Sequence, residues 1–216
     1  MGQARWQVIG EAEWSDAQDP ASQRWTAGDR RVCTGPVVHG AIGLAGAAVG
    51  GGRHIEVAGD GTVLDYRPGT GWVVARLKEL ERHQPSVLVI DDKALAEEAE
   101  AAGLTVHRAN VGDMVAGCQL LYDGICGPDV GGRDVAHIGQ GVLTDAARGA
   151  VKRDVGGSWA WARRDVAVDT TTLAAVGAAC SATPRLGCWP VADPAGRIRR
   201  SRPKEVPRWQ CLSTPT

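Results

Sequence analysis

One short apolar run restricts the fold of this chain more than any other feature. It is Ser86-Val87-Leu88-Val89-Ile90-Asp91, set between two stretches of helical spacing. A continuous run of aliphatic residues reads as a strand buried on both faces, and such a strand needs helices on either side of its sheet. The flanks supply them. Trp72, Val73, Arg76, Leu77 and Leu80 recur at helical spacing and predict a helix over 72–83, stopped by Pro85. The Ala/Glu-rich stretch 94–102 predicts a second helix, ended by Gly103, and 104–107 a second strand. Helix, strand, helix, strand in that order implies parallel pairing in an α/β sheet.

The rest of the chain fits around that centre. Residues 37–45 read as one or two strands. Residues 53–57 and 62–66 each alternate polar and apolar, and the turn Gly59-Asp60-Gly61 between them predicts a hairpin. Helices are predicted over 113–123, 142–151 and 170–180, with a Gly-rich loop over 124–136 and a short strand or extended piece at Trp159-Ala160-Trp161. Three regions result: a linker or arm over 1–31 with a helical turn at 13–17, one domain over 32–183, and a Pro/Arg-rich tail over 184–216 expected to be disordered. A length of 216 residues, 44% of them hydrophobic, suits one principal domain.

Several functions are disfavoured. The formal net charge is -1, so no global positive field draws the chain to nucleic acid, and any DNA contact must come from local basic clusters. The 6 cysteines form no C-x-x-C pair, which argues against zinc. No signal-peptide pattern opens the chain and no apolar run is long enough to span a bilayer, so a cytoplasmic protein without membrane contact is expected. Neither a phosphate-cradling G-x-x-x-x-G-K-[ST] nor a G-x-S-x-G is present.

Two acids stand where chemistry is expected. Asp91 closes the buried strand, and ligand sites of open α/β sheets lie just beyond such strand ends. Asp169 opens the last helix, in Asp169-Thr170-Thr171-Thr172-Leu173. Carboxylate oxygens are hard donors suited to Mg²⁺ or Mn²⁺, and a pair of them suggests a two-metal centre for phosphodiester hydrolysis. The alternative for each is a helix N-cap, with Asp91 or Asp92 capping the helix that begins near Ala94. Arg148, Lys152, Arg153, Arg163 and Arg164, interleaved with Trp159 and Trp161, read either as a phosphate-contacting face or as a solvated surface. His137 is a candidate hydrogen-bond donor to phosphate or carboxylate, or a structural histidine.

The ordered segments RHIEV (53–57), PGTGWVVARL (68–77), VLVID (87–91), DMVAGCQLLYDG (113–124) and HIGQGVLTDAA (137–147) resemble the nuclease half of large terminases from actinobacterial phages and prophages. The likeness continues through Lys152-Arg153 and Trp159 to Arg164 as far as Asp169. It implies an RNase H-like mixed sheet flanked by helices and an endonuclease that cuts concatemeric phage DNA during packaging. It further implies Mg²⁺ or Mn²⁺ held by Asp91 and Asp169. The implied partners are double-stranded DNA and the portal or the terminase small subunit, in the cytoplasm of a bacterial host. Three departures stand out. The family's first-strand acid should fall near 32–34, where this chain has no carboxylate and Asp29 is the nearest acid. The residues after Pro184 do not match, and no ATPase motor is included in the sequence. The abrupt edges of the mismatched regions suggest a truncated or frameshifted prophage gene. The alternative to an active endonuclease is therefore a weak or inactive remnant that keeps the fold and a DNA- or capsid-binding surface.

Overall fold

The computed structural model describes residues 6–22, 31–36, 39–47, 52–82, 87–127, 134–163, 167–181, 191–192 and 198–199. The elements run α1 (Glu11–Asp16), β1 (Arg31–Pro36), β2 (His39–Ala47), β3 (Arg53–Val57), β4 (Tyr66–Pro68), α2 (Val73–Glu81), β5 (Val87–Ile90) and α3 (Lys93–Ala101). They continue β6 (Val106–Arg108), α4 (Val111–Cys126), β7 (Val135–His137), α5 (Gly141–Arg148), β8 (Lys152–Val155), β9 (Ser158–Trp161) and α6 (Thr171–Ser181). A two-residue ladder, β10 (Val191–Ala192) with β11 (Ile198–Arg199), is all that is described of the expected tail; the rest of that region lies outside the described residues.

Seven strands form one mixed sheet in the order β6-β5-β1-β2-β3-β7, with β4 paired to β2. The predicted parallel core is present: β5 pairs parallel with both β1 and β6, while β1-β2-β3 is an antiparallel meander and β7 joins β3 in parallel. Alternation along β2 divides the core in two. Ile42 and Leu44 pack with Val73, Leu77, Ile90 and Leu95 under α2 and α3. Ala45 and Val89 belong to the opposite layer with Leu121, Leu143, Leu173 and Val176 from α4, α5 and α6.

Helix α6 has no polar face. All of its residues are buried, because it is covered by the sheet on one side and by α4 on the other. Two glycines permit this. A Cβ on Gly43 would lie 2.5 Å from the Val176 amide nitrogen, and one on Gly117 would lie 2.2 Å from the Gly177 carbonyl oxygen. Neither distance admits a side chain, so β2, α6 and α4 pack backbone against backbone.

Two expectations need correction. Residues 62–66 do not form a strand along β3; the antiparallel pairing is reduced to one bridge, Gly59 with Leu64, beside the Asp65 amide's bond to the Ala58 carbonyl. Asp60 Oδ1 instead accepts from the Thr62 and Val63 amides at 2.9 and 2.8 Å and folds the segment into a turn. The strand begins at Tyr66 and pairs with β2. The Gly-rich stretch 124–136 is not all loop, since α4 runs to Cys126 and Val135–His137 is a sheet strand. The short strand or extended piece expected at 159–161 is a strand, half of a hairpin with β8, joined by Gly156 and Gly157, whose φ of 57° and 83° suit a two-residue turn.

The arm is part of the core where it is described. Ile9 and Trp14 are buried, and the predicted helical turn is α1. Ser22 Oγ and His54 Nδ1 are 2.9 Å apart and Glu56 lies 3.3 Å from His54 Nε2, which ties the arm to β3.

Candidate functional site

The site is built from strand ends. β1 and β5 are parallel, so their carboxyl ends share one edge of the sheet, the edge where such folds bind ligands. Registers align a row across it: Thr34 is opposite Ile90, Gly35 opposite Ala41, and Ala41 opposite Tyr66. Asp91 follows Ile90 directly past the end of the β1–β5 ladder. Residues directly opposite one another share a face of a sheet. Ala41 and Gly43 have the same parity, and Gly43 abuts α6, so the row lies on the α6 face.

Asp91 is 4% exposed, and its Oδ2 accepts a hydrogen bond from Arg163 Nη1. Its Oδ1 is buried without a hydrogen-bond partner. Burial pushes the carboxyl above its ordinary range, against the opposing pull of the Arg163 guanidinium. The capping alternative resolves to the neighbour: Asp92 Oδ1 accepts from the Leu95 amide at 2.7 Å and is the N-cap of α3. Asp91 is thereby left out of the cap and turned to the other face.

Asp169 sits at the start of α6. Its Oδ1 accepts from the Thr171 amide at 2.8 Å, an i to i+2 turn bond ahead of the helix and not the N2 or N3 bond of an N-cap, and its Oδ2 accepts from the Tyr66 hydroxyl at 3.1 Å. Burial and then the Asp169 charge push the Tyr66 phenol up to about 12, so Tyr66 remains a donor throughout the neutral range. The following residue, Thr170, donates to the Ala162 carbonyl at 2.8 Å and fastens the start of α6 to the end of β9. Asp91 and Asp169 thus lie at the same edge, each with its own partner. Tyr66 was missed in the sequence, because nothing local marks a strand-edge tyrosine as the partner of an acid 103 residues away.

The described basic residues each have different partners. Arg163 turns inward to Asp91. Arg148 reaches Asp145 at 3.1 Å and lies over the Trp6 ring. Lys152 Nζ sits 4.7 Å from the Tyr122 ring centre and 4.4 Å from that of Trp159. Arg153 follows Lys152 on β8, is exposed, and points to the opposite face of the hairpin. Arg164 lies outside the described residues.

His137 is fully buried and structural. Its Nε2 donates to the Trp14 carbonyl at 3.0 Å, its Nδ1 accepts from the Gly139 amide at 3.1 Å, and its ring stacks on Trp14. Burial holds it below its ordinary value of 6.5, with His54 pushing in the same direction. A base whose folded value is depressed contributes stability above its unfolded value, and that contribution is lost as pH falls. Thermal midpoints measured on either side of 6.5 are therefore expected to fall more on acidification for the native protein than for His137→Asn. Equal pH dependence in the two proteins would refute this.

The described residues offer a divalent cation one open hard oxygen and no closed ligand set. Among the described residues, no group of three or more His, Cys, Asp or Glu side chains converges to hold a metal. Asp91 offers a buried, unpartnered carboxylate oxygen, which suits a hard cation. The β1 sequence RVCTGP has no acid to complete a second position.

With this geometry in place the class can be stated: the chain has an RNase H-like fold, a mixed sheet flanked by helices, as in the nuclease domains of phage large terminases. The large terminase of bacteriophage HK97 superposes with a TM-score of 0.63 at 15% identity, over 82% of this chain and 43% of that one. The large terminase nuclease of thermophilic phage G20c gives 0.50 at 18% identity, over 76% of this chain and 84% of that one. The same nuclease with bound magnesium gives 0.50 at 18%, over 79% and 96%. This chain therefore spans less than half the length of the HK97 large terminase but most of the isolated G20c nuclease. No protein-family model and no curated protein matches the sequence.

Proposed function

We propose that the chain is the nuclease domain of a large terminase from an actinobacterial phage or prophage, a metal-dependent endonuclease that cuts double-stranded DNA during packaging in the host cytoplasm. The observation that carries this reading is Asp91: a buried carboxylate with an open oxygen, just past the central parallel strand of a terminase-nuclease fold. Asp91 and Asp169 are the residues that would hold Mg²⁺ or Mn²⁺. A divalent cation bound there supplies an activated water and neutralises phosphate charge.

The chain's own residues prepare that site. The Thr171 amide and Tyr66 hydroxyl fix the Asp169 carboxylate by one hydrogen bond to each oxygen. Asp91 is kept from solvent by the packed strand end. On the rim, Lys152 and Arg153 of the hairpin are the exposed cations available to backbone phosphates, with Arg148 and Arg164 as further candidates. No helix among the described residues is long and apolar enough to cross a membrane. The portal and the terminase small subunit are the proposed protein partners.

Plasmid nicking with Mn²⁺ tests the reading. Wild-type protein is expected to convert supercoiled to open-circular DNA, and Asp91→Ala to reduce the rate by about 100-fold or more, as loss of a metal-site residue does. No nicking by either protein would overturn the enzyme reading in favour of an inactive remnant.

A further inference from the structure

We propose that Arg163 is the resident cation of the Asp91 site, so that a divalent metal ion reaches Asp91 only by displacing the guanidinium. The proposal deepens the reading above and rests on it for the identity of the incoming ion.

Three observations support it. First, Asp91 is 4% exposed, and Arg163 donates to it across 72 residues of sequence, so the pair is made by the fold and not by local geometry. Burying an ionised carboxylate costs several kcal/mol unless a cation accompanies it. An arginine cannot relieve that cost by losing its proton, which makes it a permanent counter-ion. Second, the guanidinium uses Oδ2 and leaves Oδ1 buried and unpartnered. A carboxylate built only for the ion pair would have both oxygens satisfied; this one keeps half its coordination capacity. Third, β1 runs parallel beside β5 and none of its residues is acidic. A cluster of like-charged carboxylates needs metal to hold it together, whereas a single buried carboxylate is balanced by one arginine.

Displacement has a definite cost. The entering ion must break a buried, charge-assisted hydrogen bond and return Arg163 toward water, where it is already 22% exposed. Metal affinity is therefore lower than the carboxylates alone would give, and it rises when the guanidinium is removed.

Manganese binding tests this without reference to cleavage, by Mn²⁺ electron spin resonance and by the Mn²⁺-dependent shift in thermal midpoint. Arg163→Gln removes the charge at similar length and is expected to tighten Mn²⁺ binding by about tenfold or more over wild type. The double variant Asp91→Asn/Arg163→Gln is expected to abolish the gain. Arg163→Lys keeps the positive charge, holds the fold if the neutral variant does not, and is expected to bind Mn²⁺ as weakly as wild type. Arg163→Gln binding no tighter than wild type would overturn the proposal. So would Arg163→Lys binding much more tightly than wild type, or a gain that survives in the double variant. Nicking assays report separately on the nuclease reading: tighter Mn²⁺ binding with no cleavage would sustain the arginine's role and sink the enzyme.

Discussion

Gly117→Ala is expected to destabilise the protein by about 3 kcal/mol, while Gly177→Ala on the facing helix leaves it unchanged or makes it more stable. The two glycines meet at the α4–α6 crossing, but not symmetrically. A methyl at 117 would sit 2.2 Å from the Gly177 carbonyl oxygen, whereas a methyl at 177 would find its nearest atom, the Gly117 carbonyl oxygen, at 3.5 Å. The first distance forces the helices apart and the second is ordinary contact. Alanine also favours a helix over glycine by roughly 1 kcal/mol, which offsets part of the strain at 117 and is an unopposed gain at 177. Urea midpoints of the two variants give the answer, and equal destabilisation would mean that the crossing is looser than described.

Trp14→Ala is expected to cost about 3–5 kcal/mol, as truncation of a fully buried aromatic does. Trp14 is 2% exposed, stacks on His137 with ring centres 4.0 Å apart, and donates from Nε1 to Thr144 Oγ1 at 3.2 Å. Truncation removes the stack and that bond together and undoes the seat of α1 on α4 and α5. The arm then detaches from the domain, so proteolysis within residues 6–22 should accelerate along with the loss of stability. A stable Trp14→Ala protein with an unchanged cleavage pattern would show that the arm contributes little.

The centre of the fold was legible because its signals are local. Four aliphatic residues between two amphipathic helices require a buried parallel strand, and β5, α2 and α3 follow from them. The capping choice at 91–92 was not legible. Two adjacent aspartates precede the helix, and only the backbone geometry of α3 selects Asp92. β8 escaped notice because three of its four residues are exposed and carry no alternation. β7 was hidden because a three-residue strand in a Gly-rich stretch has no period to read. At the site, sequence pointed to Asp91 and Asp169 through their places at a strand end and a helix start. It read Arg163 as a phosphate contact or a solvated residue without its bond to Asp91, and it overlooked Tyr66, since both contacts join residues distant in the chain. Position along an element is a sequence property; the partner across the sheet edge is a property of the register.

The backbone-to-backbone seating of α6 has a mechanical meaning. A helix held by side chains can slide or roll as those side chains change rotamer. A helix held at Gly43 and Gly117 by direct main-chain contact has no such slack. It behaves as a rivet through the sheet and α4, and Asp169 is fixed to its head. The main-chain seats at Gly43 and Gly117 leave the helix that begins just after Asp169 no room to shift without moving backbone on both sides.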